Sequence, residues 1–174
     1  MCSRRSTGAD LEAGQSVRHT VGIADMKLSS DKSDVLITHA LGSCLGVTIY
    51  DAILGIGGMI HIMLPLSRID QEKAKAKPFM FVDTGIPTLF NEAYALGARK
   101  ENIEVKVAGG AQILDANGHF KIGERNYTML RKILWKNNVL IASEDVGGSD
   151  SRTLALEMEL GRVTIRANGE VKEL

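Results

Sequence analysis

The order of apolar and polar positions splits the chain into a polar opening and a long series of short alternating segments. Residues 1–18 hold glycines and serines without apolar periodicity, and read as a flexible tail ahead of a single domain over 19–174. Period-two alternation predicts strands at 21–26 and 35–40, a hairpin over 44–50 and 55–63, and later strands at 103–108, 139–143, 153–159 and 163–167. Asn168-Gly169 supplies a tight turn after the last of these. Two stretches change period. Ile86, Leu89, Phe90, Ala93 and Tyr94 share a helical face behind a cap at Asp83 or Thr84, and Pro87 falls in the first turn. Leu130, Ile133 and Leu134 form a second stripe behind a cap at Asn126. The polar segment 67–78 reads as a flexible loop. Hairpins mixed with two amphipathic helices predict an α+β fold, an α/β sandwich of mixed, largely antiparallel sheets flanked by helices.

The hairpin carries the chemistry. With Asp51-Ala52-Ile53-Leu54 as the connection, Tyr50 pairs with Gly55 and Cys44 falls directly opposite His61. Leu45, Val47, Ile49, Ile56, Ile60 and Ile62 then share one aliphatic face, the core side. Cys44, Gly46, Thr48, Gly57, Met59 and His61 share the other, where glycines leave room for a visitor. A thiol facing an imidazole is a nucleophile and its base, and the pairing implies alkylation of Cys44 below the pH an unassisted thiol requires. Backbone amides at Gly42 and Ser43 are the candidate oxyanion donors. Thr38, on the incoming strand, offers a hydroxyl that can hold the ring of His61 in one tautomer, although threonine is also an ordinary strand residue. His39 points to the opposite face of a regular strand and is the weaker candidate.

Composition narrows the class. The 174 residues carry 21 Lys+Arg and 21 Asp+Glu, so no net field invites nucleic acid. Apolar runs are too short for membrane insertion and no export signal opens the chain, which points to the cytoplasm. Two cysteines make no disulfide framework, and a reducing compartment keeps Cys44 a thiol. The run Gly55-Ile56-Gly57-Gly58 imitates a dinucleotide fingerprint but lies inside a hairpin. His19, His39, His61 and His119 lack metal-ligand spacing with either cysteine, so neither cofactor nor metal is expected.

Thr38, Ala40-Leu41-Gly42-Ser43-Cys44, Tyr50-Asp51 and the run from Gly57 to Pro65 resemble the signature of the chemoreceptor glutamine deamidase CheD family. Asp83-Thr84, Ala108-Gly109-Gly110-Ala111, Ile122-Gly123-Glu124-Arg125-Asn126, Glu144-Asp145-Val146-Gly147-Gly148 and Arg152 continue the pattern over about residues 20–167. The resemblance implies a fold akin to bacterial toxin deamidases. It also implies an enzyme that converts selected glutamines on the helical cytoplasmic region of methyl-accepting chemotaxis receptors to glutamates through a thioester. On that resemblance Cys44, His61 and Thr38 are the catalytic set, and the phosphatase CheC is a further partner. Pro87 and the long N-terminal tail depart from the family pattern. Two alternatives stand beside the deamidase: a regulatory binding module for CheC or receptors with weak catalysis, and a related thiol hydrolase such as a methylesterase or a transglutaminase-like enzyme.

Overall fold

The computed structural model describes residues 16–113 and 120–174. Most of the expected tail lies outside them; its last positions, Val17 and Arg18, already belong to the first strand, β1 (Val17–Thr20). The strands that follow are β2 (Asp25–Ser29), β3 (Asp34–Leu41), β4 (Leu45–Asp51), β5 (Ile56–Ile62), β6 (Ile103–Gly109), β7 (Ile141–Val146), β8 (Arg152–Glu157), β9 (Arg162–Ala167) and β10 (Glu170–Glu173). They form two five-stranded sheets, in the orders β1-β3-β8-β9-β10 and β2-β5-β4-β6-β7. Among the described strands, only the β1–β3 and β6–β7 pairings are parallel. The α+β class with mixed, largely antiparallel sheets is therefore as the pattern indicates.

The aliphatic face of the β4–β5 hairpin packs under two helices, α2 (Val82–Ala95) and α3 (Ile122–Lys136). Leu45, Val47, Ile49, Ile60 and Ile62 meet Ile86, Leu89, Phe90, Leu130 and Leu134 there. The opposite face of the hairpin is equally buried, because the first sheet closes over it. Met59 packs with Leu36, Leu41, Leu154, Leu156 and Met158. The result is helices, then sheet, then sheet, with β4 and β5 in the middle layer. The face that carries His61 is thus the floor of a second core and not a solvated surface.

The hairpin register differs by two residues from the expected one. Tyr50 pairs with Gly57, and Gly46 sits opposite His61. Asp51 is the cause. Its buried carboxylate accepts from the amides of Ile53 and Leu54 at 3.0 and 3.1 Å and from Arg99 at 2.9 Å. It therefore closes the ladder against Ile56 and pushes the connection one residue further along, to Gly55 at φ +65°. A shift of two preserves which residues share a face.

Other differences have local causes. The expected strand at 21–26 breaks, because the chain turns through Ala24 at φ +57° between β1 and β2. Segment 67–78 includes a short helix, α1 (Gln71–Ala76), whose first turn is capped by Asp70 accepting from the Lys73 amide at 2.9 Å. Helix α2 has no side-chain cap. Asp83 instead accepts from the Ser67 amide and hydroxyl, each at 2.8 Å, and the start at Val82 leaves Pro87 inside the helix. Helix α3 starts at Ile122, which puts Asn126 inside it and not at its cap. Asn168 and Gly169 make the expected turn, with φ of +50° and +82°, and lead into β10.

A charged staple joins the two sheets. Arg152 on β8 donates from Nε and Nη2 to Asp145 on β7 at 2.8 and 2.7 Å, and Lys172 on β10 pairs with the other carboxylate oxygen. The Arg152 side chain is only 8% exposed, so removing it takes two hydrogen bonds from a half-buried carboxylate and leaves it the more exposed Lys172. Arg152→Met is expected to cost about 3 kcal/mol in urea unfolding, the low end for breaking a buried pair. A loss below about 1 kcal/mol would place the staple among surface pairs of little consequence.

Candidate active site

A bulge in β3 starts the site. Pairing with β8 slips between Thr38 and Leu41, and Ala40 takes φ +57°. Ahead of the bulge, regular alternation with Leu36 points Thr38 into the layer between the sheets, fully buried, while His39 is exposed on the outer face beside Thr153. Thr38 Oγ1 donates its single hydrogen to the Val21 carbonyl oxygen at 2.7 Å. It also lies 2.7 Å from Nδ1 of His61, so at this second contact it accepts. The proton of the neutral imidazole is thereby fixed on Nδ1, and the lone pair is on Nε2. That nitrogen is buried and has no hydrogen-bond partner among the described residues. His61 is 1% exposed, and burial holds its pKa down to about 4. At neutral pH it is an uncharged base with a free lone pair.

Cys44 packs against the core of the same layer, just before the first paired residue of β4. Backbone contacts shape the bend that carries it. Gly42 donates to the Ala40 carbonyl oxygen at 3.0 Å, Ala111 donates to that of Gly42 at 2.8 Å, and Gly110 donates to that of Cys44 at 2.8 Å. These contacts need bare glycine. A Cβ on Gly109 would lie 2.2 Å from the Cys44 carbonyl oxygen, and one on Gly123 would lie 2.4 Å from that of Gly110. The Gly109-Gly110 pair thus walls the cysteine bend, with Gly147 donating to Gly109 at 2.9 Å behind it.

The structure joins Thr38 to His61 directly but does not set Cys44 opposite His61. With Gly46 in that place, Cys44 is a diagonal neighbour on the same face, a relation that spans about 7–8 Å in a regular ladder. The thiol makes no hydrogen bond to Nε2, and reaching it takes a rearrangement of the Cys44 side chain or its bend. Cys44 is half-buried against the inter-sheet core. Burial pushes its pKa up, an effect only partly offset by its own backbone amide. The resting pair is therefore neutral thiol and neutral imidazole, in place of the low-pKa thiolate that the sequence suggests.

The expected oxyanion donors also change. The Gly42 amide is engaged with Ala40, whereas the amides of Ser43 and Cys44 make no backbone–backbone bond among the described residues. Sequence reasoning missed Asn126. Its side chain is fully buried, and Nδ2 donates to the carbonyl oxygens of Ser43 at 3.0 Å and Met63 at 2.9 Å. The available signal was its spacing: Asn126, Leu130 and Leu134 fall on one helical stripe, so a polar residue sits on the buried face. Among the described residues, no three His, Cys, Asp or Glu side chains group to hold a metal ion, and no helix is long and apolar enough to cross a membrane.

The alkylation of Cys44 follows from these environments. A pKa raised by burial keeps the thiol protonated through neutral pH, so the iodoacetamide rate should still be climbing at about pH 9. A rate that levels off below about pH 8 would mean that His61 stabilises a resting thiolate after all.

The sequence model of the family described as "CheD chemotactic sensory transduction" matches residues 63–167. A Syntrophus aciditrophicus (strain SB) protein named "Probable chemoreceptor glutamine deamidase CheD 1" is 51% identical over 149 residues, covering 86% of this chain and 93% of that protein. A "Probable chemoreceptor glutamine deamidase CheD" of Solibacter usitatus (strain Ellin6076) is 48% identical over 154 residues, 88% of this chain and 91% of that protein. A protein of the same name from Pyrococcus horikoshii (strain ATCC 700860 / DSM 12428 / JCM 9974 / NBRC 100139 / OT-3) is 36% identical over 154 residues, 87% of this chain and 93% of that protein. With a bulged strand, a buried Thr–His pair and a glycine-walled cysteine already in place, matches of this extent show that the chain belongs to the CheD family.

Proposed function

We propose that this protein hydrolyses the side-chain amide of glutamine residues on chemoreceptors to give glutamate, with Cys44 as nucleophile, His61 as general base and acid, and Thr38 as the residue that orients the ring. The observation that carries the reading is the Thr38–His61 contact. The hydroxyl is committed to Val21, so it can only accept from Nδ1, and Nε2 is left as the free base on the face shared with the thiol. The names of the relatives supply the substrate class. The reaction suits the cytoplasm, where a reducing milieu keeps the thiol free.

The resting pair is neutral, so the proton moves as the bond forms. The Cys44 thiol gives its proton to Nε2 of His61 while the sulfur attacks the carboxamide carbon. The carbonyl oxygen gains the electron pair and accepts from the amides of Cys44 and Ser43. The imidazolium keeps its Nδ1 proton on Thr38 and returns the Nε2 proton to the nitrogen of the collapsing intermediate. Ammonia leaves and a glutamyl thioester remains. Water then gives a proton to Nε2 and attacks the thioester. Collapse releases the glutamate side chain and restores the thiol. The threonine brings orientation without charge. That fits a buried imidazole whose cationic form is transient.

Mass spectrometry of a receptor cytoplasmic fragment tests the assignment. Wild type should convert specific glutamines to glutamates and Cys44→Ala should not; conversion by Cys44→Ala would rule out the nucleophile. Thr38→Val should lower kcat about 100-fold, the low end of what positioned proton transfer contributes, because it strands Nδ1–H and the Val21 carbonyl. A Thr38→Val enzyme within about threefold of wild type would remove the threonine from the site.

The pH profile is a separate check. His61 accepts a proton only above its pKa of about 4, and Cys44 holds one only below its raised pKa. The log of kcat/KM should therefore stay flat from about pH 5 to about pH 9. An acid limb centred near the ordinary imidazole value would show that burial does not govern His61 during turnover.

A further inference from the structure

The Asn126 side chain is a buried polar group that the reaction just written leaves unused. It lies one turn into α3 and is fully buried. Both donors go to main-chain carbonyls, at Ser43 and Met63. Two carbonyl acceptors can be met only by the NH2 end of an amide, so chemistry fixes its orientation. Oδ1 is left buried with no partner among the described residues. A buried acceptor without a donor calls for a reason, and the reason here is what the two donors hold.

Ser43 and Met63 carry the two halves of the site. The Ser43 carbonyl and the Cys44 amide belong to one planar peptide unit, and in a trans peptide they point in opposite directions. Anchoring the carbonyl to α3 turns the Cys44 amide away from the helix and towards its own sulfur, where the developing oxyanion must sit. Met63 lies two residues past His61, and its amide is donated to the Met80 carbonyl oxygen at 2.9 Å. The second bond from Asn126 therefore fixes where the strand carrying His61 ends relative to the cysteine bend. Gly123, one turn earlier on α3, lets the helix approach Gly110 closely enough for this reach.

We infer that Asn126 is a positioning residue that aims the Cys44 backbone amide as an oxyanion donor and ties the cysteine bend to the histidine strand. The inference rests on the deamidase reading above. It separates two reactions of the same thiol. Attack on a carboxamide builds an oxyanion and needs the aimed amide. Alkylation by iodoacetamide displaces iodide at a saturated carbon, builds no oxyanion and does not need it.

The test measures both rates on the same preparations of wild type, Asn126→Leu and Asn126→Asp, with a receptor cytoplasmic fragment as substrate and iodoacetamide at about pH 9 as the thiol probe. Asn126→Leu should lose about 100-fold in kcat, with KM and the alkylation rate within about threefold of wild type. Asn126→Asp should lose a similar factor at neutral pH, where a carboxylate faces two carbonyl oxygens. It should recover part of its kcat towards about pH 5, as the carboxyl gains a proton to donate. Equal losses in both rates, or deamidation within about threefold of wild type, would overturn the role. If Asn126→Leu does not fold, the near-isosteric Asn126→Asp decides by the same ratio and the same pH recovery. Wild type that is alkylated at Cys44 yet leaves every receptor glutamine unchanged would reject the deamidase reading itself, and this role with it.

Discussion

A strand pair buried on both faces cannot carry a polar side chain cheaply, and this protein places a histidine there. His61 sits on β5 between helices on one side and the first sheet on the other, and each ring nitrogen left without a partner in such a place costs free energy. The first sheet meets half of that demand through Thr38. Its hydroxyl receives Nδ1–H and passes its own hydrogen to Val21. The other half, at Nε2, is left unmet. This one asymmetry sets the tautomer, keeps the ring neutral and marks the direction from which a proton can arrive.

The surrounding architecture serves that arrangement. Regular alternation with Leu36 turns Thr38 inward, and after the bulge at Thr38–Leu41 the same strand runs into the bend that carries Cys44. Thr38 and Cys44 are thus linked within a few residues of chain. Glycines at 109, 110 and 123 allow backbone to touch backbone around the bend, which a Cβ at any of them would crowd or strain. Helix α3 presses Asn126 into that contact and fastens the bend to the end of β5. Precision at the thiol comes from main-chain packing, and polarity at the imidazole comes from the neighbouring sheet. Burial acts on both groups in the same sense, favouring their uncharged forms. A pair of this kind stores no charge at rest.

Much of this was legible in the residues. Alternation in the hairpin assigned each side chain to its correct face, because parity is set by which residues must be buried. The pairing partner was not legible, because it depends on Asp51, whose carboxylate bonds the turn and also the amide of Arg99 far along the chain. The same limit hid Asn126. Its stripe with Leu130 and Leu134 marks a buried position, but nothing in the sequence shows the carbonyls it would meet. The cap expected at Asp83 failed for a related reason: Ser67, after β5, competes for that carboxylate.

The sequence by itself determined the α+β class and the faces of the hairpin, which follow from residue type and short-range periodicity, and the membership of the family, which follows from matched motifs. The tertiary structure decided that the face bearing His61 is a second core, that Gly46 and not Cys44 stands across from the ring, and that the resting pair is uncharged. Each of those depends on what another segment brings alongside: the first sheet, the turn-binding carboxylate of Asp51, and the water excluded by both layers. Local pattern records which side of a strand seeks burial; only the packed chain fixes what is waiting there.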